Sequence, residues 1–470
     1  MFRYTPVAVL FYFLIGSLAA TAAGFKPPVN YGVGTYPDSI AAGDFNGDGK
    51  RDLVVANYSD IFLSVLLGNG DGTFQPEVDY AVDYGAGSVA VGDFNNDNKL
   101  DLVVATSSGT FGSAVGVLIG NGDGTFQPYV DYPTAYGPYS VAVADFNADG
   151  NADLATAYYA MPGYSVSVLL GNGDGSFQPH VDYGSGGSRS IVASDFNADG
   201  KPDLAGADTF GNTVSVYLGN GDGTFQPPVA YAAGSQPDSV ALGDFNRDGK
   251  PDLATANEVS TFSILLGNGD GSFQPPVEYP TSYGQSLAVG DFNGDSKDDL
   301  ALAHFQFPWT AGVLLGNGDG TFQTELQYST GAYPNAVAVS DLDPGGADDL
   351  MTANGYLFSR QNSVDVISIL LNTGGTLLKT TSSANPSTLG QPVTFTTTVR
   401  SSLKGVGTPT GKVIFMDGAL PLGSGTLANG QASVTTSRLN LGIHKIRAKY
   451  SGDGTFNPHE AQPIAQKVGR

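Results

Sequence analysis

One ten-residue stretch, Asp44-Phe45-Asn46-Gly47-Asp48-Gly49-Lys50-Arg51-Asp52-Leu53, constrains this chain more than any other feature. It is a D-x-N-x-D-G-x-x-D loop running into an apolar segment. Its first aspartate recurs at Asp44, Asp93, Asp145, Asp195, Asp244, Asp291 and Asp341, in steps of 49, 52, 50, 49, 47 and 50 residues. A near-constant period of this size marks a repeat architecture, in which each unit buries its apolar face against its neighbours. A chain of 470 residues is too long for one ordinary compact domain, and a repeat array accounts for the length.

The first unit shows the parts. Ser39 to Gly43 is a short apolar run ahead of the loop, Leu53-Val54-Val55-Ala56 follows as a second strand, and Leu63 to Leu67 is a third. Gly68-Asn69-Gly70-Asp71-Gly72-Thr73 reads as a hairpin turn, because Gly and Asn adopt the positive φ angles of tight hairpins. Phe74 to Tyr80 is the fourth strand, and Pro76 suits an edge, where no ladder hydrogen bond is lost. Four short antiparallel strands per unit describe a propeller blade. The turn recurs with Asp71, Asp123, Asp174, Asp222, Asp270 and Asp319, six times against seven loops. The missing outer strand lies at the other end of the chain. Phe25-Lys26-Pro27-Pro28-Val29-Asn30-Tyr31 matches Phe225-Gln226-Pro227-Pro228-Val229-Ala230-Tyr231 almost position for position, and has no first three strands of its own. It is expected to pair with 364–371 and close seven blades, spanning 24–375, into a ring.

Either end of the array reads differently. Residues 1–23 carry Arg3, an apolar core from Val7 to Leu18 that is short for a membrane span, and an Ala20-Thr21-Ala22 cleavage pattern, the marks of a secretory signal. After Leu371 the period stops. Residues 376–470 alternate apolar and polar, with Val393, Phe395 and Val399, then Val413 and Phe415, then Ile446, Ala448 and Tyr450, which reads as a β-sandwich. Gly452-Asp453-Gly454-Thr455-Phe456 mimics the repeated turn, but no acidic loop precedes it at the right distance. The fold class is all-β.

The chain has no Cys, which excludes disulfides, thiolate chemistry and Cys-ligated zinc. Its formal net charge is −24, against any nucleic-acid role, since phosphate binding needs basic residues. Three acids in each of seven loops and one in each of six turns give 27 of the 45 acidic residues a place in a motif. Ca²⁺ takes six to eight hard oxygen ligands, which acidic loops supply from alternate positions around a turn-permitting Gly. The expected ligands at loop positions 1, 3, 5, 7 (through the backbone carbonyl) and 9 are therefore Asp44, Asn46, Asp48, Lys50 and Asp52; Asp93, Asn95, Asp97, Lys99 and Asp101; and Asp145, Asn147, Asp149, Asn151 and Asp153. The next three loops offer Asp195, Asn197, Asp199, Lys201 and Asp203; Asp244, Asn246, Asp248, Lys250 and Asp252; and Asp291, Asn293, Asp295, Lys297 and Asp299. The seventh has Asp341, Asp343 and Asp349 but carries Pro344 and lacks the position-5 acid, so it is expected to bind most weakly. A plain hairpin has no reason to hold three like charges so close unless a cation offsets them. Ca²⁺ at six to seven sites is the expected cofactor.

The motifs D-F-N-x-D-G-K-x-D-L and L-L-G-N-G-D-G-T-F-Q-P resemble the FG-GAP/VCBS repeats that build the seven-bladed propeller of integrin α-subunit heads. The resemblance implies calcium on the lower face and ligands held by upper-face loops or between blades. Gly407-Thr408-Pro409-Thr410-Gly411-Lys412-Val413-Ile414-Phe415 and Tyr450-Ser451-Gly452-Asp453 resemble a bacterial Ig-like domain. Connections on the face opposite the acidic loops hold Tyr36, Tyr80, Tyr84, Tyr132, Tyr136, Tyr139, Tyr158, Tyr159, Tyr164, Tyr279, Tyr283, Tyr333 and Trp309, amphipathic rings suited to protein or sugar contact. The four histidines, His180, His304, His444 and His459, are scattered, and no metalloprotease, phosphate-loop or dinucleotide motif is present. The expected function is a secreted or surface-held, non-enzymatic calcium-binding recognition or adhesion module. It acts as a monomer on an extracellular protein or glycan, without nucleic acid and without a membrane span once the signal is removed. The alternatives are a lectin with sugar sites between blades and a polysaccharide lyase with an upper-face active site.

Overall fold

Runs such as Leu53-Val54-Val55-Ala56 have no polar alternation, so they need cover on both faces. The second strand of every blade has that cover: Asp52–Asn57, Asp101–Thr106, Asp153–Tyr158, Asp203–Asp208, Asp252–Asn257, Asp299–His304 and Asp349–Asn354 are buried at every residue. The computed structural model describes residues 24–470 except 84, 108–113, 136, 159–165, 185–186, 344–346, 356–364, 374–375, 402–406, 454–455, 457–458 and 462. The expected signal at 1–23, with Pro344, Tyr84, Tyr136, Tyr159 and Tyr164, lies outside the described residues.

Among the described residues there are seven four-stranded antiparallel sheets. The first contains Pro37–Gly43, Asp52–Asn57, Phe62–Leu66 and Val78–Ala81 in that order. The inner strands adjoin one another in a cycle, and Pro37–Gly43 touches both Ala86–Gly92 and Pro334–Ser340. The ring closes as the motif count requires. Val29–Gly32 pairs antiparallel with Val366–Leu370, Val29 opposite Ile369 and Tyr31 opposite Ile367. Phe25 bridges Asn372 and packs edge-on against Phe292 and Tyr328.

Two details differ from the pattern read in the sequence. The fourth strand is shorter, because Pro76 offers no amide: Phe74 makes an isolated bridge to Gly68, and regular pairing starts at Val78. Each inner strand also carries a bulge near its start, as between Pro37 and Ser39 opposite Asn57 and Ala56. Beside the bulge a serine hydroxyl ties one blade to the next. Ser39, Ser140, Ser190 and Ser286 accept from the amides of Val89, Ile191, Val240 and Val337, each at 3.2 Å.

The last propeller strand ends at Leu370 and the first strand of the C-terminal sandwich spans Thr376–Ser382. A three-stranded sheet with Val393–Ser401 at its centre faces a larger one built on Lys412–Asp417 and Gly442–Tyr450. Val393, Phe395, Val399, Val413, Phe415, Ile446, Ala448 and Tyr450 share its core. The look-alike turn belongs here: Asp453 accepts from Thr410 and Phe456, and Phe456 joins that core.

Candidate metal centres and the opposite face

Each acidic loop curls around its own carboxylates. In the first, Asp44 accepts from the amides of Asp48 (3.1 Å) and Gly49 (2.8 Å), Asn46 Oδ1 from Asp48 (2.9 Å), and Asp48 Oδ1 from Lys50 (3.0 Å). The same set recurs around Asp93, Asp145, Asp195, Asp244 and Asp291. The curl needs left-handed residues at position 6, where Gly49 has φ 80° and Asn98 and Ser296 have 59° and 60°. It also needs them at position 4, where Ala148, Ala198 and Arg247 sit at 58°. Sequence reading missed position 4, because its occupants share no chemistry.

The ninth residue has a second task. Asp52 is wholly buried, and its two oxygens accept from Phe45 (2.8 Å) and Gly68 (2.7 Å), so it ties the loop to the third-to-fourth turn. Asp101, Asp153, Asp203, Asp252 and Asp299 do the same in their blades, and in the seventh Asp349 accepts from Leu342 and, where the turn is missing, from the Asn372 amide. Burial pushes these carboxyls up despite the amide bonds, Asp153 and Asp252 to about 6, Asp299 and Asp349 to about 7. Each oxygen keeps a further lone pair. At position 5 the acids sit beside ammonium groups: Lys50, Lys99, Lys201, Lys250 and Lys297 lie 3.0, 3.3, 3.6, 3.5 and 2.7 Å from Asp48, Asp97, Asp199, Asp248 and Asp295. The lysine hydrogen bond helps hold Asp48 below the usual carboxylate range.

Tested against a hard divalent cation, the donor set fits: carboxylate, amide and carbonyl oxygens on one tight loop, with no soft or bulky group among them. The seventh loop brings oxygens of Asp341, Asp343 and Asp349 within 4.8 Å of one another, so the acid at position 3 gathers charge where the loss at position 5 suggested weakness. The turn aspartates do something simpler. Asp71 accepts from the Thr73 amide (3.0 Å) and hydroxyl (2.5 Å), and so caps its own turn. The turn then docks on the preceding loop, Gly124 N donating to Phe45 O and Gly175 N to Phe94 O, both at 2.9 Å. Blade seven lacks that turn, and the Asn372 side chain takes its place, donating to Phe292 O at 2.9 Å.

The tyrosines divide into two sets. Tyr80, Tyr132 and Tyr279 do not serve the opposite face: their hydroxyls donate to Gly124, Gly175 and Gly320 in the next blade's turn, and their rings pack on Phe126, Phe177 and Phe322. Tyr158 is buried against Ser167. The opposite face keeps two aromatic groups, Tyr36 with Tyr58 and Tyr139, and Tyr283 with Phe305, Phe307, Trp309 and Tyr333. Blade three also joins a Ser, a His and an Asp that sequence order did not reveal. Ser167 is buried and donates directly to Asp182, while His180 Nδ1 lies 2.8 Å from that carboxylate and 3.5 Å from Ser167 Oγ. The serine proton therefore faces the acid rather than the imidazole, unlike a base-activated nucleophile. His304, fully buried, lies 3.0 Å from both Glu325 and Thr310.

Comparison with known proteins agrees with this anatomy. A family model described as FG-GAP-like repeat matches residues 44–104, 100–156, 195–255 and 244–302, and one described as bacterial Ig-like domain (group 3) matches 380–469. No curated protein matches the chain. Among solved structures, the chain is similar to "Crystal structure of BBS1N in complex with ARL6DN, soaked with mercury", at 11% identity and TM-score 0.53, over 75% of this chain and 98% of that one. A second structure, of the same complex soaked with lead, matches at 12% identity and TM-score 0.50 over the same shares. Identities this low speak to the fold alone. The chain is an all-β protein of FG-GAP-like repeats that ends in a bacterial Ig-like domain.

Proposed function

We propose that this protein is a calcium-stiffened, non-enzymatic recognition module, secreted or held at the cell surface, that binds an extracellular protein or glycan on the face opposite its acidic loops. The observation that carries the reading is where large apolar side chains meet water. Ile61, Phe210 and Phe307 are 62, 62 and 80% exposed, and all three lie in loops joining a second strand to a third, on that face. Phe307 stands edge-on to Trp309 in the aromatic group that runs on through Tyr333 and Phe305 to Tyr283, a local exposed apolar cluster of the kind that marks interaction sites, and Ile61 and Phe210 add exposed apolar side chains on other blades of the same face.

The acids and amides of the seven loops would hold calcium, from Asp44, Asn46, Asp48, the Lys50 carbonyl and Asp52 in the first to Asp341, Asp343 and Asp349 in the last. Bound calcium supplies charge neutralisation and cross-linking within a loop. Because Asp52 and its equivalents also hold the adjacent turn, a stiffened loop braces the seam between blades and so the opposite face. Among the described residues no helix is long and apolar enough to cross a membrane. The test is binding of the calcium-loaded chain to arrays of glycans and extracellular proteins. Specific binding without turnover sustains the reading, product release from a polysaccharide replaces it with a lyase, and silence on both arrays overturns it.

A further inference from the structure

Propeller and sandwich carry opposite charge. Residues 24–375 hold ten Lys and Arg against 42 acids, whereas 376–470 hold ten against only Asp417, Asp453 and Glu460, a formal +7 within a chain of −24. The sandwich cations are not evenly spread. Gly442–Tyr450 alternates buried Ile446, Ala448 and Tyr450 with exposed Lys445, Arg447 and Lys449, so these three share the outer face of the larger sheet. On one flanking strand, Ile464–Gly469, exposed Lys467 is opposite Ile443. On the other, Lys412–Asp417, exposed Lys412 lies two residues before Ile414, which is opposite Lys449. The five make a diagonal band across three strands, about 26 Å long at the rise of a β-strand. Few acids face it. Glu460 is opposite Lys449 in register, and Asp417 is taken up by His444 Nδ1 at 2.6 Å. Lys412, Lys445 and Lys467 form no ion pair among the described residues. The outer face of the other sheet differs: Thr394 bonds Thr435 and Thr396 bonds Ser433, both at 2.8 Å, in a neutral hydroxyl ladder. The positive charge is therefore a property of one face, not of the domain's composition alone.

A row of like charges repels itself unless an anion offsets it, and an elongated band fits an elongated anion. Duplex nucleic acid is read by a helix or ribbon that enters a groove, which a broad sheet face cannot do, and single strands stack on aromatic rings. Phe415 and Tyr450 point into the core, so the band offers no ring. Lasting attachment to lipid takes an apolar or acyl insertion besides charge. Ile414 and Ile443, 41 and 74% exposed, stand among the cations instead of forming one apolar edge. That interleaving suits a sugar chain, whose rings present C–H faces between their charged groups. We infer that the outer face of the larger sandwich sheet binds a linear acidic polysaccharide, with Lys445, Arg447 and Lys449 pairing its carboxylate or sulfate groups and Lys412 and Lys467 extending the track. This site is separate from the propeller's recognition face and does not depend on what that face binds.

The test is retention of the full calcium-loaded chain on immobilised hyaluronan and heparin, with dextran as the uncharged control, over a series of salt concentrations. Binding to either acidic glycan, none to dextran, and release as salt rises are expected. A variant carrying Lys445→Thr, Arg447→Thr and Lys449→Thr should bind at least tenfold more weakly. One carrying Lys379→Thr, Arg400→Thr and Arg438→Thr loses the same charge elsewhere in the sandwich and should bind almost as well as the parent. Thr preserves strand propensity. Should the first triple fail to fold, Lys412→Thr with Lys467→Thr should weaken binding several-fold. Equal losses in the two triples, or no retention on either acidic glycan, overturn the inference. Tighter binding to phosphatidylglycerol vesicles or to duplex DNA does so too, by assigning the band to a membrane or a nucleic acid. If the first triple captures an acidic glycan from an array as strongly as the parent, the glycan site lies on the propeller and the band assignment falls; loss of that capture sustains it.

Discussion

At the scale of single residues, the loops store strain that an alignment of the repeats by eye does not show. Position 6 was readable, because Gly recurs there and Asn98 tolerates the left-handed region. Position 4 was not, because Gly47, Asn96, Ala148 and Arg247 share no property except the φ imposed on them. An L-residue without a local hydrogen bond pays about 1–2 kcal/mol for that conformation. Ala148→Gly should therefore stabilise the protein by about 1 kcal/mol after the entropy lost by Gly is set against the gain, and raise its melting temperature. A lower melting point would show that the methyl group makes contacts worth more than the strain. Asp38 gives the complementary case. Its folded value of about 6 lies above the ordinary 3.8, because burial outweighs the attraction of Arg189, and Asp238 adds repulsion. The folded state thus holds the proton more tightly than the unfolded chain, and the stabilisation present below about 3.8 is lost as pH rises through 6. Asp38→Asn should raise the melting temperature at pH 7.5 and change it little at pH 4. A drop at pH 7.5 would mean that the carboxylate has a partner and is structural.

At the scale of elements, the informative signal was a mismatch in counting. Seven loops against six turns located the seventh blade's outer strand at Phe25–Tyr31, and Val29–Gly32 pairs there. What stayed hidden was how the junction is finished. Asn372 replaces a whole turn with one amide side chain, and a single Asn in a loop carries no pattern that reading could use. Phe25 is the hydrophobic half of that junction, 8% exposed and 5.0 Å from the Tyr328 ring. Phe25→Ala should cost about 3 kcal/mol, in the usual range for emptying a buried aromatic site. Phe225→Ala makes the fair control, since Phe225 is equally buried, 7% exposed, at the seam between the third and fourth blades, away from the N-terminal strand. Both variants lose packing, but Phe25→Ala also frees the terminal strand, so the second and third strands of blade seven should gain protease sensitivity that Phe225→Ala does not confer. Equal digestion of the two would mean that closure does not depend on the N-terminal strand.

At the scale of the whole molecule, charge decides whether the ring stands alone. The formal net charge is −24, and seven divalent cations would reduce it to about −10. The metal-free loops have only partial substitutes. Five exposed Lys–Asp pairs, each worth little in water, touch one acid per loop. Asp298 and Asp348 add acids at loop position 8 that accept from the amides of Asp244 and Asp291 in the preceding blade. A ligand that binds only the folded state stabilises it by about 2.7 kcal/mol per site at a hundredfold excess over Kd. Chelation should therefore lower the melting temperature by about ten degrees or more, and calorimetric titration of the calcium-free chain should find six to seven equivalents. The last loop separates the two totals. Its convergent Asp341, Asp343 and Asp349 favour seven, while its missing position-5 acid favours six. Asp341→Asn, which removes the position-1 acid present in every loop, should take away one equivalent if that loop is filled and none if it is not. An unchanged melt in chelator, or a stoichiometry of zero or one, would mean that the loops are turns held by their own amides, and that the bonds of Asp52 and its equivalents within each blade, with the turn-to-loop bonds between blades such as Gly124 N to Phe45 O, carry the ring unaided.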